Sequence, residues 1–149
     1  MNEFHEVIQK MILLFRELTT LESKMLNAAR EQQIAVLEGH MIKEQASIMQ
    51  LRGLEKEKDR IQAEAGYAGM SFHEILEVLD GEEKARFLPL FDEMSRTMQM
   101  FQEVHEDLTV IMEVNLRQVN KKIDDAKGQV YAESRADSAG LKNMTNRRV

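Results

Sequence analysis

Residues 36–43 read VLEGHMIK, with Gly39 and His40 set inside a stretch that otherwise has the pattern of a single helix. Whether the chain turns there or runs on decides between a folded-back bundle, which presents a groove, and a rod, which spans distance. Upstream, Val7, Met11, Leu14, Leu18, Leu21, Met25, Ala28 and Ala35 share one heptad register in which only Gln32 is polar, the signature of a helix-packing seam. Carried forward, the register lands on Gly39, Ile42, Ala46 and Met49 and then on Gly53, Lys56 and Arg60, so the seam is lost. Residues 40–65 instead place Met41, Ile48, Leu51, Leu54 and Ile61 on a face of their own. Glycine costs about 1 kcal/mol relative to alanine inside a helix but is favoured just beyond a helix C-terminus. The change of phase therefore predicts a turn at Gly39 joining helices near 3–38 and 40–65, with a continuous bent helix as the alternative.

A second break lies at AGYAGMS, residues 65–71, after which Ser71 and Glu74 have the spacing of a capping box. A short helix is expected near 71–79, with Phe72, Ile75, Leu76 and Leu79 on one side. Asp80 can cap the next helix, and Glu82 and Glu83 complement its positive end. Pro89 then either kinks that helix or restarts it. From Phe87 the longest seam of the chain runs through Phe91, Met94, Met98, Phe101, His105, Leu108, Met112, Asn115, Val119, Lys122 and Ala126. A helix near 82–127 is roughly 70 Å long at 1.5 Å per residue. The fold class is all-α: an elongated up-and-down bundle of three or four helices over residues 1–127, antiparallel and coiled-coil-like with a left-handed twist. Gly128 opens a polar stretch, 128–149, read as a flexible, weakly basic tail.

Composition agrees and narrows function. The 149 residues include one proline, no tryptophan and 5% aromatic residues, and are rich in residues that lose least in a helix. With no cysteine there is no disulfide, thiol nucleophile or thiolate metal site, which suits a reducing cytosol. No apolar run approaches the roughly 20 residues that span a bilayer, so a cytoplasmic protein without membrane insertion is expected. The net charge of −6 disfavours nucleic acid as a partner. Residues 1–126 carry 15 basic and 24 acidic side chains, residues 127–149 five and two. His-Glu occurs at 5–6, 73–74 and 105–106, but a zinc helix motif needs a second histidine where Gln9, Glu77 and Thr109 stand. A di-iron bundle needs glutamate three residues before histidine, where Asn2, Leu37, Met70 and Gln102 stand. No phosphate loop or nucleophile elbow is present. The expectation is a protein that is not an enzyme and uses no cofactor or metal.

His105 and Asn115 are polar residues in the long seam, a device that fixes register and helix number. Lys122 is either a snorkelling side chain or the mark of a seam left uncovered near its end. Eleven methionines, among them Met94, Met98, Met100 and Met112, suit a surface that receives apolar helices. An uncovered seam is closed either by a second copy, giving a homo-oligomer, or by an amphipathic helix of another protein.

The run from Leu13 to Gly66, LLFRELTTLESKMLNAAREQQIAVLEGHMIKEQASIMQLRGLEKEKDRIQAEAG, resembles the first half of FlgN-type flagellar export chaperones: a leucine-spaced helix, a small-residue turn, and a second helix with an arginine, Arg60, near its end. EILEVLDGEEKARFLPLFDEMSRTMQMFQEVHEDLTVIMEVNLRQVNKKID resembles the family's long closing helix, with Asn115 or Asn120 as the asparagine of its last third. His40 departs from the aspartate the family usually carries after the turn glycine. The resemblance implies a type III secretion chaperone that covers the apolar C-terminal helices of hook-associated filament-junction proteins, prevents premature association, and delivers them to the flagellar export gate. It further implies a partner-binding region toward the C-terminus, with Leu108, Ile111, Met112, Leu116, Val119 and Ile123 as apolar contacts and Tyr131 as the tail aromatic that engages the gate. The alternatives are a structural, self-associating coiled coil and a sibling chaperone for cap or flagellin subunits.

Overall fold

The first helix has more apolar surface than a single seam needs. Beside Val7, Met11, Leu14, Leu18 and Met25, the chain buries Ile8, Ile12, Phe15, Leu26 and Ala29, each one residue after a seam position. A stripe this wide faces two neighbours rather than one. In the computed structural model, which describes the backbone of residues 1–138 and all their side chains except those of 131 and 133–138, the neighbours follow in order. The helices are α1 (Asn2–Arg30), α2 (Ile34–Glu64), α3 (Phe72–Val78) and α4 (Gly81–Ser138). Among the described residues there is no strand, and the all-α class is as the sequence predicts.

The first turn is not at Gly39. α1 ends at Arg30, and Gln32 takes the left-handed conformation with φ 57°. The Gln33 amide donates to the Ala28 carbonyl at 2.9 Å and the Gln32 amide to Ala29 at 3.3 Å, which is the Schellman pattern that closes a helix C-terminus. Gly39 lies inside α2, exposed, with open space around the position a Cβ would take. The loss of register is real, but its origin is the residue that reads as a polar interruption of the seam. The face expected on the second helix holds: Ile61 is buried, Ile48, Leu51 and Leu54 are half-buried, and only Met41 stands out in solvent.

The second turn uses the same pattern with the residue best suited to it. Gly66 has φ 91°, the Tyr67 amide donates to Gln62 and the Gly66 amide to Ala63, each at 3.0 Å. Gln62, itself buried, then pins the loop by donating from Nε2 to the carbonyls of Tyr67 and Met70, both at 2.8 Å. Ser71 and Glu74 form the expected capping box at the start of α3. Pro89 sits within α4 without ending it; the helix runs through, and the cost is confined to the Ala85 carbonyl, which has no amide donor four residues on.

The chain forms two units, Met1–Thr109 and Val110–Val149. In the first, aromatic contacts set the direction of the helices. Phe4 meets Phe87 and Phe91, with ring centroids 5.7 and 6.1 Å apart, and Phe15 meets Phe101 at 5.6 Å, so α4 runs parallel to α1. Phe72 of α3 stacks on Phe91 at 4.3 Å and 4°. Arg16 of α1 pairs with Glu93 of α4 along the same side. α4 extends beyond the expected end near 127: Gly128 is helical, and the helix reaches Ser138. The remaining tail, 139–149, lies outside the described residues.

The turn assignment predicts stabilisation at two positions by opposite exchanges, glycine replaced at one and introduced at the other. Gly39→Ala should stabilise the protein by about 0.5–1 kcal/mol, because alanine is the better residue in a helix interior. Gln32→Gly should stabilise it by about 1 kcal/mol by removing the left-handed cost of a side chain. Urea unfolding of both variants checks this; a turn at Gly39 would make the alanine variant less stable.

Candidate functional site

Two features of α4 stand apart from ordinary core packing. The first is a polar cluster on three helices. His105 of α4 reaches α1, where its Nδ1 lies 2.8 and 3.1 Å from the two carboxylate oxygens of Glu22. Glu22 is only 1% exposed, whereas the His105 side chain is 56% exposed. The His105 ring also stacks on Phe101 at 5.5 Å, and its carbonyl accepts from Thr109. From α2, Glu44 faces the same group. Its carboxyl is pushed up from 4.5 to about 7, first by burial, then by a hydrogen bond with Glu22 and by the Glu22 charge, with His105 opposing. Glu44 Oε2 is buried and meets no protein donor, so a proton on Glu44 is what makes its contact with Glu22 favourable. His40, one turn earlier on α2, has a buried Nδ1 without a protein partner.

This cluster gives His105 a role beyond filling a seam position: it ties α4 to α1 and α2 close to where burial on α4 ends, at Leu108. The pattern of apolar residues could flag His105, but Glu22 and Glu44 are two among many carboxylates and carry no periodic signal. No group of three or more acidic or histidine side chains among the described residues has the geometry to hold a metal ion.

The second feature is the apolar surface of the unit that begins at Val110. From Val110 to Val130 no described side chain is buried. Leu116 is 60% exposed, Val119 50% and Ile123 47%, so three of the expected contact residues stand open together at helical spacing. Ile111 and Met112 are half-buried. Leu108 is not available: at 4% exposure it belongs to the packed part of the first unit, a correction to its reading as a contact. Tyr131 lies within α4 rather than in a tail after it, and its side chain is outside the described residues.

Val110, Val114 and Val130 are exposed as well, and sequence reasoning did not single them out. The long seam, followed strictly, steps onto Asn115 and Lys122 and misses Leu116 and Ile123, one residue further on. That shift is the signal that leads from Leu116 and Ile123 to Val130; Val110 and Val114 lie off it. No helix among the described residues is long and apolar enough to cross a membrane. What the stripe can do chemically is limited to packing, since it carries no nucleophile and no acid–base pair. No protein-family model, curated protein or solved structure matches the chain.

Glu44 sets a pH dependence whose sign follows from its raised value. The folded state holds the Glu44 proton more tightly than the unfolded chain, so this contribution to stability is complete below about 4.5 and is lost as pH rises through about 7. Glu44→Gln, which keeps a donor toward Glu22 at every pH, should flatten the stability profile between those values and leave the variant more stable than the parent above neutrality. Thermal unfolding across that range, parent against variant, measures it; superimposable profiles would remove Glu44 from the cluster.

Proposed function

We propose that the protein is a partner-binding chaperone of the flagellar export type, and that its α4 stripe covers an apolar helix of a client protein. The observation that carries this reading is the run of exposed Leu116, Val119, Ile123 and Val130 on a helix with no buried described side chain beyond Val110. Large apolar side chains repeated along one face of an exposed helix mark a surface that another helix completes. The clients that fit the family resemblance are hook-associated filament-junction proteins, whose C-terminal apolar helices are unpaired before assembly. Pairing with α4 in coiled-coil fashion keeps those helices from associating with one another.

Delivery to the export gate, through the region that includes Tyr131, belongs to the same reading, as does a cytoplasmic location. The mechanism is shielding and release, with no covalent step. Glu113, Arg117, Lys121, Lys122, Asp124, Asp125 and Lys127 surround the stripe with charges of both signs, so the apolar strip is narrow and its partner is held reversibly.

The paired substitution Leu116→Glu with Val119→Glu tests the assignment. Both side chains are exposed, so the helical circular dichroism and the melting of the first unit should stay unchanged. Affinity for a purified hook-associated protein, measured by calorimetry, should fall by at least tenfold, the equivalent of about 1.4 kcal/mol. Undiminished affinity in the folded variant would move the client site elsewhere; no binding by the parent chain would favour a self-associating structural coiled coil.

A further inference from the structure

Six apolar residues of α4 beyond Val110, Met112 half-buried and the other five exposed, form a heptad seam of their own. Met112, Leu116, Val119, Ile123, Ala126 and Val130 are separated by alternating steps of four and three, and all six positions are apolar. The seam is about 27 Å long at 1.5 Å per residue. Its flanking positions are charged in an uneven way. After Met112, Val119 and Ala126 come Glu113, Asn120 and Lys127; before Leu116, Ile123 and Val130 come Asn115, Lys122 and Gln129.

Flanking charges decide the orientation in which identical helices pair. In a parallel pair, Lys122 of each chain faces Lys127 of the other, giving two like-charge contacts, while Glu113 faces Leu108 and gains no opposite charge. In an antiparallel pair centred between Val119 and Ile123, Glu113 of each chain faces Lys127 of the other, giving two opposite-charge contacts against a single Lys122–Lys122 contact at the centre. The same register puts Met112 against Val130, Leu116 against Ala126 and Val119 against Ile123, each layer occurring twice, so every apolar position meets an apolar partner. Leu116, 60% exposed, lies against alanine, the smallest of the six, which lets the two helices approach evenly along the seam.

We infer that in the absence of any other partner the α4 stripe is occupied by a second copy of the chain, running antiparallel, in the register that places Leu116 against Ala126. The interface is isologous, with a two-fold axis across the middle of the seam. Three heptads are near the lower limit for a sustained coiled coil, so the pair is weak and exchanges readily. The inference uses the same surface as the proposed client site but does not depend on it; if both hold, the second copy and the client compete.

The chain has no cysteine, so an introduced thiol is unique. Full-length Leu116→Cys, mixed with a size-tagged full-length Ala126→Cys and oxidised mildly, should give mainly the mixed disulfide, with the Leu116→Cys homodimer several-fold weaker. A dominant Leu116→Cys homodimer overturns the orientation, because it requires parallel helices. A chain that stays monomeric in sedimentation up to its solubility limit overturns the pairing itself and leaves the stripe to a different protein. As an independent check, Lys127→Glu should weaken self-association roughly tenfold by replacing two attractive contacts with repulsive ones. Adding Glu113→Lys to that variant should restore it. An unchanged dissociation constant in Lys127→Glu overturns the register. None of these measurements involves a client, so failure here leaves the chaperone reading standing, and failure of client binding leaves this one.

Discussion

Six phenylalanines hold the first unit together. Phe4, Phe15, Phe72, Phe87, Phe91 and Phe101 are all the chain has, and every one of them is in ring contact with another. Through them α1 and α4, more than fifty residues apart in sequence, are fixed side by side, and α3 is clamped across Phe91. An aromatic ring buries more apolar area than any aliphatic side chain and prefers tilted or offset neighbours, so a few such contacts both stabilise and orient helices. The rest of the bundle depends on this arrangement. α2 contributes only Ile61 and Gln62 to the fully buried set and lies along a pair already fixed.

The polar cluster takes over where the rings end. Beyond Phe101, His105 of α4 meets Glu22 of α1, with Leu108 buried about one turn further on, and Glu44 adds the third helix. A buried carboxylate is costly unless it is bonded, so Glu22 favours the one alignment of helices that brings His105 and Glu44 to it. Packing by itself tolerates small slips along a seam; a buried charge with two partners on different helices does not. The cluster therefore sets the register of α4 just before its side chains become exposed.

Much of this was legible from the residues, and the exceptions have physical causes. The two helix ends at Arg30 and Glu64 use the same backbone pattern, yet only the second carries glycine at the left-handed position. Gly66 announces its turn, while Gln32 adopts the same conformation with a side chain that reads as a flaw in a heptad, and the nearest glycine, Gly39, draws the prediction seven residues downstream. Ser71 and Glu74 were legible because a capping box is local, made by two side chains and the backbone between them. Glu22 and Glu44 were not, since burial of a carboxylate depends on what lies across the bundle. The α4 surface was read in part: Leu116, Val119 and Ile123 follow from the family resemblance, whereas Leu108, one residue off their register, lies on the packed side of the Thr109–Val110 boundary.

That boundary falls inside a single helix, and the backbone of α4 passes through it without a break. Its amides are nevertheless not equivalent. Those near Phe87 to Leu108 lie in a stretch with one packed face, and their exchange with solvent hydrogen is slowed by the packing of that face. From Val110 to Val130 no described side chain is buried, and a helix without packing is marginal in water. One continuous element thus contains a gradient of protection, steep over a turn or two. A partner that pairs with the outer stretch does more than cover apolar surface: it extends cooperative order outward along a helix whose inner half is already fixed.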